Sequence, residues 1–122
     1  MVNIKQFVRQ VLNNTEILNL TANKKVYFLK AIDDATNPLK TPYIEYEIYD
    51  ENGEEWAENR EIATNYYVQV DIFSKTDYSD IENKIKEKKL NAGFERSMAA
   101  DLYEQDTGYY HKAMRFFITL NN

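Results

Sequence analysis

The side chains that could take part in catalysis or metal binding are few in this sequence and lie far apart. His111 is the only histidine, and there is no cysteine. A Ser-His-Asp site would have to use His111, but no serine lies in a Gly-x-Ser-x-Gly turn. Zinc sites usually take more than one nitrogen or sulfur ligand. We therefore interpret His111 as an exposed or hydrogen-bonded strand residue.

Carboxylates offer a second kind of chemistry, because a metal-dependent nuclease needs only acidic side chains and a lysine. Glu45, Glu47 and Asp71 fall in predicted strands, where we expect them to be outward-facing surface groups. The Glu-x-Lys pairs, Glu82-Lys84 and Glu87-Lys89, fall on the polar face of a predicted helix. The three glycines are too far apart to form a phosphate-binding loop. The sequence thus predicts a protein that is not an enzyme, with no catalytic residue, cofactor or metal.

Charge and hydropathy narrow the choice of partners. The formal net charge is −5 and the sequence pI is near 4.9, which argues against specific nucleic-acid binding. The one basic cluster, formed by Lys84, Lys86, Lys88 and Lys89, is interleaved with glutamates. We find no apolar stretch long enough for a signal peptide or a membrane span, and expect no membrane partner. The lack of cysteine fits a reducing cytoplasm.

Hydrophobic periodicity predicts one α/β (α+β) domain over residues 1–122, with the order α-β-β-β-α-β-β. Apolar residues at helical spacing indicate helices over residues 3–14 and 77–90, the second with a Ser79-to-Glu82 capping box. Alternating apolar residues indicate strands over residues 25–32, from Tyr43, over 62–73, and on both sides of residues 106–108. We expect a mostly antiparallel sheet with both helices packed on one face.

An acidic segment, residues 50–61, contains six carboxylates, one arginine and the sole tryptophan. Asn52-Gly53 predicts a tight turn within it, at the tip of a long, solvated and mobile hairpin. A tryptophan among charges is typical of an anchor for a partner. The aromatic second face of the following strand is a further candidate contact surface. The predicted protein-interface residues are Glu54, Glu55, Trp56, Glu58, Tyr67 and Phe73.

Several strings of the sequence carry a likeness to a known family. They are Val26-Tyr27, Pro42-Tyr43-Ile44-Glu45-Tyr46, Tyr67-Val68-Gln69-Val70-Asp71-Ile72-Phe73-Ser74-Lys75, Gly93-Phe94, and Asp101-Leu102-Tyr103-Glu104-Gln105-Asp106-Thr107-Gly108-Tyr109-Tyr110-His111. With this order of elements, the chain resembles the tail terminator (tail completion) proteins of long-tailed, siphovirus-type phages and prophages.

The resemblance implies a structural virion protein that assembles with itself into a ring, commonly a hexamer. Such a ring lies at the head-proximal end of the tail, ends growth of the tail tube, and joins the tail to the head connector. Implied partners are the tail-tube protein and the head-connector (stopper) protein, with DNA passing through the lumen. The implied location is the bacterial host cytoplasm during assembly and then the neck of the virion tail. Alternatives are a head–tail adaptor, a carboxylate metal-dependent nuclease, and a small cytoplasmic regulatory binding protein.

Overall fold

The computed structural model describes residues 3–57 and 60–122, and only the backbone of residues 54–56. Its helices are α1 (Ile4–Leu12), α2 (Thr15–Leu18) and α3 (Ser79–Asn91), and its strands are β1 (Val26–Phe28), β2 (Tyr43–Ala57), β3 (Arg60–Ser74), β4 (Glu95–Glu104) and β5 (Tyr109–Asn121). This confirms the predicted α+β class and the predicted order, to which the structure adds the short helix α2.

The strands form one sheet in the order β1-β2-β3-β5-β4. β1 runs parallel to β2, and the other neighbouring pairs are antiparallel, as predicted for a mostly antiparallel sheet. β2 and β3 form a long hairpin. On its other side, β3 pairs with β5 from Ala63 to Ser74. β1 and β4 are therefore the edge strands.

The main core lies between one face of the sheet and the helices. Val68, Val70 and Phe116 are fully buried on this face of the sheet, and Val8 and Ile85 are fully buried on α1 and α3. The apolar faces that periodicity predicts for the helices and the strands pack against each other in this core. This confirms that both predicted helices cover the same face of the sheet. None of the described helices is long and apolar enough to cross a membrane.

The N-terminal helix behaves as predicted up to its end. The Asn3 side chain accepts a hydrogen bond from the Gln6 N–H, 3.1 Å away, and caps α1. After Leu12 the chain forms α2 because the Asn14 side chain caps the Glu16 N–H and Ile17 is buried. The strand predicted over residues 25–32 is shorter in the structure, where β1 contains only three residues.

The second predicted helix starts later than expected. α3 begins at Ser79, and the predicted capping box is wrong, because Asp77 instead accepts hydrogen bonds from the Ser79 N–H and Oγ–H. The charges that sequence spacing places four residues apart pair only in part. The Lys86 Nζ lies 2.6 Å from the Glu82 Oε2, whereas Lys84 pairs with Glu87 and with Glu16 of α2.

The tight turn predicted at Asn52-Gly53 is wrong. Asn52 lies opposite Asn65 and Gly53 opposite Thr64 within the β2–β3 ladder, and the Asn65 amide donates to the Asn52 side chain at 2.9 Å. The long partner strand β3 offers continued backbone pairing, which outweighs the local turn preference. The pairing of β2 with β3 continues to Ala57 and Arg60, and residues 58–59 lie outside the described residues.

The alternation of apolar residues ahead of residues 106–108 predicts that this strand has one apolar face, and this is also wrong. A register shift between Arg96 and Met98 separates Phe94, which is buried in the main core, from Met98, Ala100 and Leu102. An inserted residue reverses the facing of the side chains that follow it. These three residues consequently lie on the sheet face opposite the helices.

Candidate functional site

The sheet face opposite the helices, which we call the outer face, carries most of the polar and aromatic side chains of the strands. The strand register aligns Tyr43, Phe73 and His111 in one row across β2, β3 and β5. The next row along the strands contains Glu45 and Asp71, and the row after it contains Glu47, Gln69 and Arg115. Residues that are far apart in the sequence are thereby brought into one surface.

Asp71 and His111 form the central pair of this face. The His111 Nε2 lies 2.7 Å from the Asp71 Oδ1, and the Gln69 amide donates to the same carboxylate at 2.9 Å. Asp71 is only 7% exposed, so its predicted position as an outward surface group is wrong. These two neighbours replace the water that the carboxylate loses on burial. The sequence predicts that His111 is either exposed or hydrogen-bonded in a strand, and the structure shows the hydrogen-bonded alternative.

The surroundings of His111 restrict what its ring can do. Its second nitrogen, Nδ1, lies 3.6 Å from the Glu104 Oε1, and the Phe73 ring stacks on it with centroids 4.2 Å apart. Both ring nitrogens therefore face carboxylates, and only one of them carries a lone pair when the ring is neutral. Among the side chains that the structure describes, no group of three or more His, Asp or Glu residues could hold a metal ion. The arrangement acts as a crosslink between β3, β5 and the end of β4.

Glu45 fastens the segment between β1 and β2 to the sheet. Its Oε2 accepts a hydrogen bond from the Ala31 N–H at 2.8 Å. Burial raises the pKa of the Glu45 carboxyl, and the Asp71 carboxylate adds to the rise, while the Ala31 N–H opposes it. The prediction that Glu45 is a simple surface group is therefore wrong, because residues 29–42 fold over this end of the outer face.

The other end of the outer face is a ladder of aromatic and polar side chains. The Arg115 Nε donates to the Gln69 Oε1 at 3.0 Å, and its guanidinium carbon lies 4.6 Å from the centroid of the Tyr49 ring. The Tyr67 ring lies beside Tyr49 and Phe117, with centroids 6.1 and 6.3 Å away. Tyr49 is 38% exposed, and Tyr67, Arg115 and Phe117 are half-buried. The three rings and the guanidinium group are therefore partly accessible to a binding partner.

The predicted interface residues have different positions in this arrangement. Tyr67 is half-buried in the aromatic ladder. Phe73 is 8% exposed and stacks on Tyr43 with centroids 4.9 Å apart, so its ring packs inside the chain instead of offering contact area. The side chains of Glu54, Glu55 and Trp56, and the whole of Glu58, lie outside the described residues.

The prediction that Lys89 lies on the polar face of its helix is wrong. Its side chain is fully buried, and its Nζ lies 4.0 Å from the centroid of the Phe94 ring. Among the described residues, it is a buried nitrogen with no hydrogen-bond partner. Burial lowers the pKa of the Lys89 amine from 10.5 to about 7. Its spacing from Ile81 and Ile85, at i+8 and i+4, is the signal that could have revealed its burial.

No family model matches the chain, and no curated protein is significantly similar to it.

Proposed function

We propose that this chain is a structural subunit of a ring at the head-proximal end of a phage tail. The ring ends growth of the tail tube and joins the tail to the head connector. The proposal starts from the resemblance to tail terminator proteins and is supported by the character of the outer face. The observation that carries it is the partly exposed ladder of Tyr49, Tyr67, Arg115 and Phe117.

The first support is the arrangement of the strings on which the resemblance depends. Residues 43–46 begin β2, residues 67–74 end β3, and residues 101–111 span the β4–β5 turn. Val26 and Tyr27 lie beside Ile44 and Glu45 in the sheet. Four strings separated in sequence thus meet at the same end of the sheet, around Asp71 and His111. If the family shares this local structure, its presence here would explain why several separate strings all resemble the same family.

The second support is the chemistry of the aromatic ladder. Tyrosine and arginine are enriched at protein–protein contacts, since each combines apolar area with polar atoms that can bond a partner. All three described helices pack on the other sheet face, so they leave this ladder accessible. A ring needs two different, complementary patches on each subunit. The ladder is suited to be one of them.

The third support is charge. The β2–β3 hairpin carries exposed Asp50 and Glu51 and half-exposed Glu61 towards its end. The net charge of −5 would repel DNA from a lumen instead of holding it there. An acidic conduit allows DNA to pass without tight binding.

The experiment combines the purified chain with the tail-tube protein encoded by the same phage or prophage. We expect rings on one end of each tube in negative-stain micrographs, and tubes that stop growing once capped. Tyr67→Ala should reduce capping at least tenfold, as expected for loss of an interface tyrosine worth about 1.4 kcal/mol or more. Leu90→Ala is the matched control: Leu90 is 53% exposed but lies on α3, away from the outer face. Equal capping by both variants would refute the role of the ladder, and no capping by the wild-type chain would refute the proposed function.

A further inference from the structure

The edge strand β4 is unusually accessible. Each of its ten residues is exposed or half-exposed. Met98 is 41% exposed, Leu102 48% and Tyr103 56%. Within the described part of the chain, β5 is the only strand that pairs with β4, so the other backbone edge of β4 has no strand partner.

This edge has little of the protection that sheet proteins usually give to edge strands. Charged residues, prolines, bulges and short length normally prevent such an edge from pairing with another strand. Residues 98–103 contain one charged residue, Asp101, and no proline. The β4 bulge lies before this stretch, between Arg96 and Met98. From Met98 onwards, β4 offers a regular and largely apolar strand for pairing.

We propose that β4 pairs antiparallel with β4 of a second copy of this chain, about a two-fold axis at Ala100. In this register Met98 lies opposite Leu102 of the second copy, and Ala99 lies opposite Asp101. Met98 and Leu102 share the outer face, as required of opposite residues in an antiparallel pair. Two apolar pairs form by symmetry, with the small Ala100 side chains between them. The two sheets become one continuous sheet.

The neighbouring symmetric registers are less favourable. An axis at Asp101 places the two Asp101 carboxylates opposite each other, and like charges in this position destabilise a strand pair. An axis at Ala99 brings the bulge at residues 96–98 into the pairing, where the regular ladder is interrupted. Of these three registers, the one centred on Ala100 is the most favourable.

This contact joins identical patches, whereas a ring joins two different ones, so the inference does not rest on the proposed function. Its test uses the isolated chain and no phage component. A failure of this pairing leaves tube capping intact, and a failure of capping leaves this pairing intact.

The absence of cysteine from the sequence permits a direct test of the register. Ala99→Cys, Ala100→Cys and Asp101→Cys are made one at a time and oxidised at several protein concentrations. Opposite residues have Cβ atoms about 4.5–5.5 Å apart and diagonal ones about 7–8 Å, so we expect Ala100→Cys to give the covalent dimer fastest. Faster crosslinking at residue 99 or 101, or no crosslinking at any of the three, would overturn the proposal.

A second measurement checks the apolar pairs without a covalent bond. Leu102→Lys should raise the dimer dissociation constant about tenfold in sedimentation equilibrium, because it removes both Met98–Leu102 pairs. Leu90→Lys, at a comparably exposed leucine on α3, should leave the dissociation constant unchanged. Circular dichroism of both variants checks that the fold is retained. A wild-type chain that stays monomeric at high concentration, or equal weakening by the two substitutions, would contradict β4 pairing.

Discussion

Replacing Lys89 by methionine should make this protein more stable, and the gain should depend on pH. Methionine has a similar length and flexibility, so it can keep the packing against Phe94 while it removes the buried amine. The folded-state pKa of Lys89 is about 7, whereas its ordinary value is 10.5. Below pH 7 the folded protein must hold a buried charge, which lowers its stability by about 4–5 kcal/mol relative to the neutral amine.

The direction of the pH effect follows from proton binding. Between pH 7 and 10.5 the unfolded chain binds the Lys89 proton more strongly than the folded chain does, so the stability of the wild type rises with pH. The difference in unfolding free energy between Lys89→Met and wild type should therefore shrink by about 1.4 kcal/mol per pH unit in this window. Using the difference between the two proteins cancels the titration of other groups.

Urea unfolding at pH 6, 7, 8 and 9 measures this difference directly. Lys88→Met is the control: Lys88 lies nearer to solvent, and its Nζ is 2.8 Å from the Glu16 carboxylate. Exposed ion pairs contribute little, so this change should alter stability by about 1 kcal/mol or less, with no comparable pH dependence. Two results would contradict the burial of an unpartnered Lys89 amine. One is a loss of stability in Lys89→Met at pH 7, and the other is an effect of this substitution that stays constant from pH 6 to 9.

Three further predictions concern the core, the outer face and the acidic segment. Phe116→Ala should lower the unfolding free energy by about 3–5 kcal/mol in urea titrations, because Phe116 is fully buried in the main core; a loss below 1 kcal/mol would contradict this packing. Asp71→Asn should cost about 1.5–3 kcal/mol of unfolding free energy, because it removes the charge from the hydrogen bond to His111. We expect no magnesium-dependent DNA cleavage by the wild type, and cleavage that is lost with Asp71→Asn or Glu45→Gln would contradict this expectation. Trp56→Ala should leave the melting temperature almost unchanged and weaken tail capping by about 2 kcal/mol or more, whereas a large loss of stability would instead make Trp56 a core residue.

The parts of the fold that the sequence predicts are those that depend on periodicity. The stripe of α1 and the alternation of Val68, Val70 and Ile72 give the correct burial, because a helix or strand places every residue of one face in the same environment. The class, the element order and the common face of α1 and α3 follow from these patterns.

The incorrect predictions involve long-range pairing, which local patterns do not contain. Asn52-Gly53 has turn chemistry, but the length of β3 sets the position of the turn. The bulge in β4 moves Met98 and Leu102 to the outer face, and nothing in the alternation of the sequence marks the inserted residue. Asp71 and His111 meet only because β3 and β5 pair in one register, 40 residues apart in sequence. The pairing of Asp71 with His111 therefore could not be predicted from the sequence alone.

The central claim, a ring that ends the tail tube, is tested most directly by native mass spectrometry of the purified chain with its tail-tube protein. We predict a closed homo-oligomer, a hexamer by the resemblance, that appears bound to tube assemblies and is lost with Tyr67→Ala but kept with Leu90→Ala. A chain that remains monomeric in the presence of the tube protein, with no bound species at any ratio, would contradict the claim.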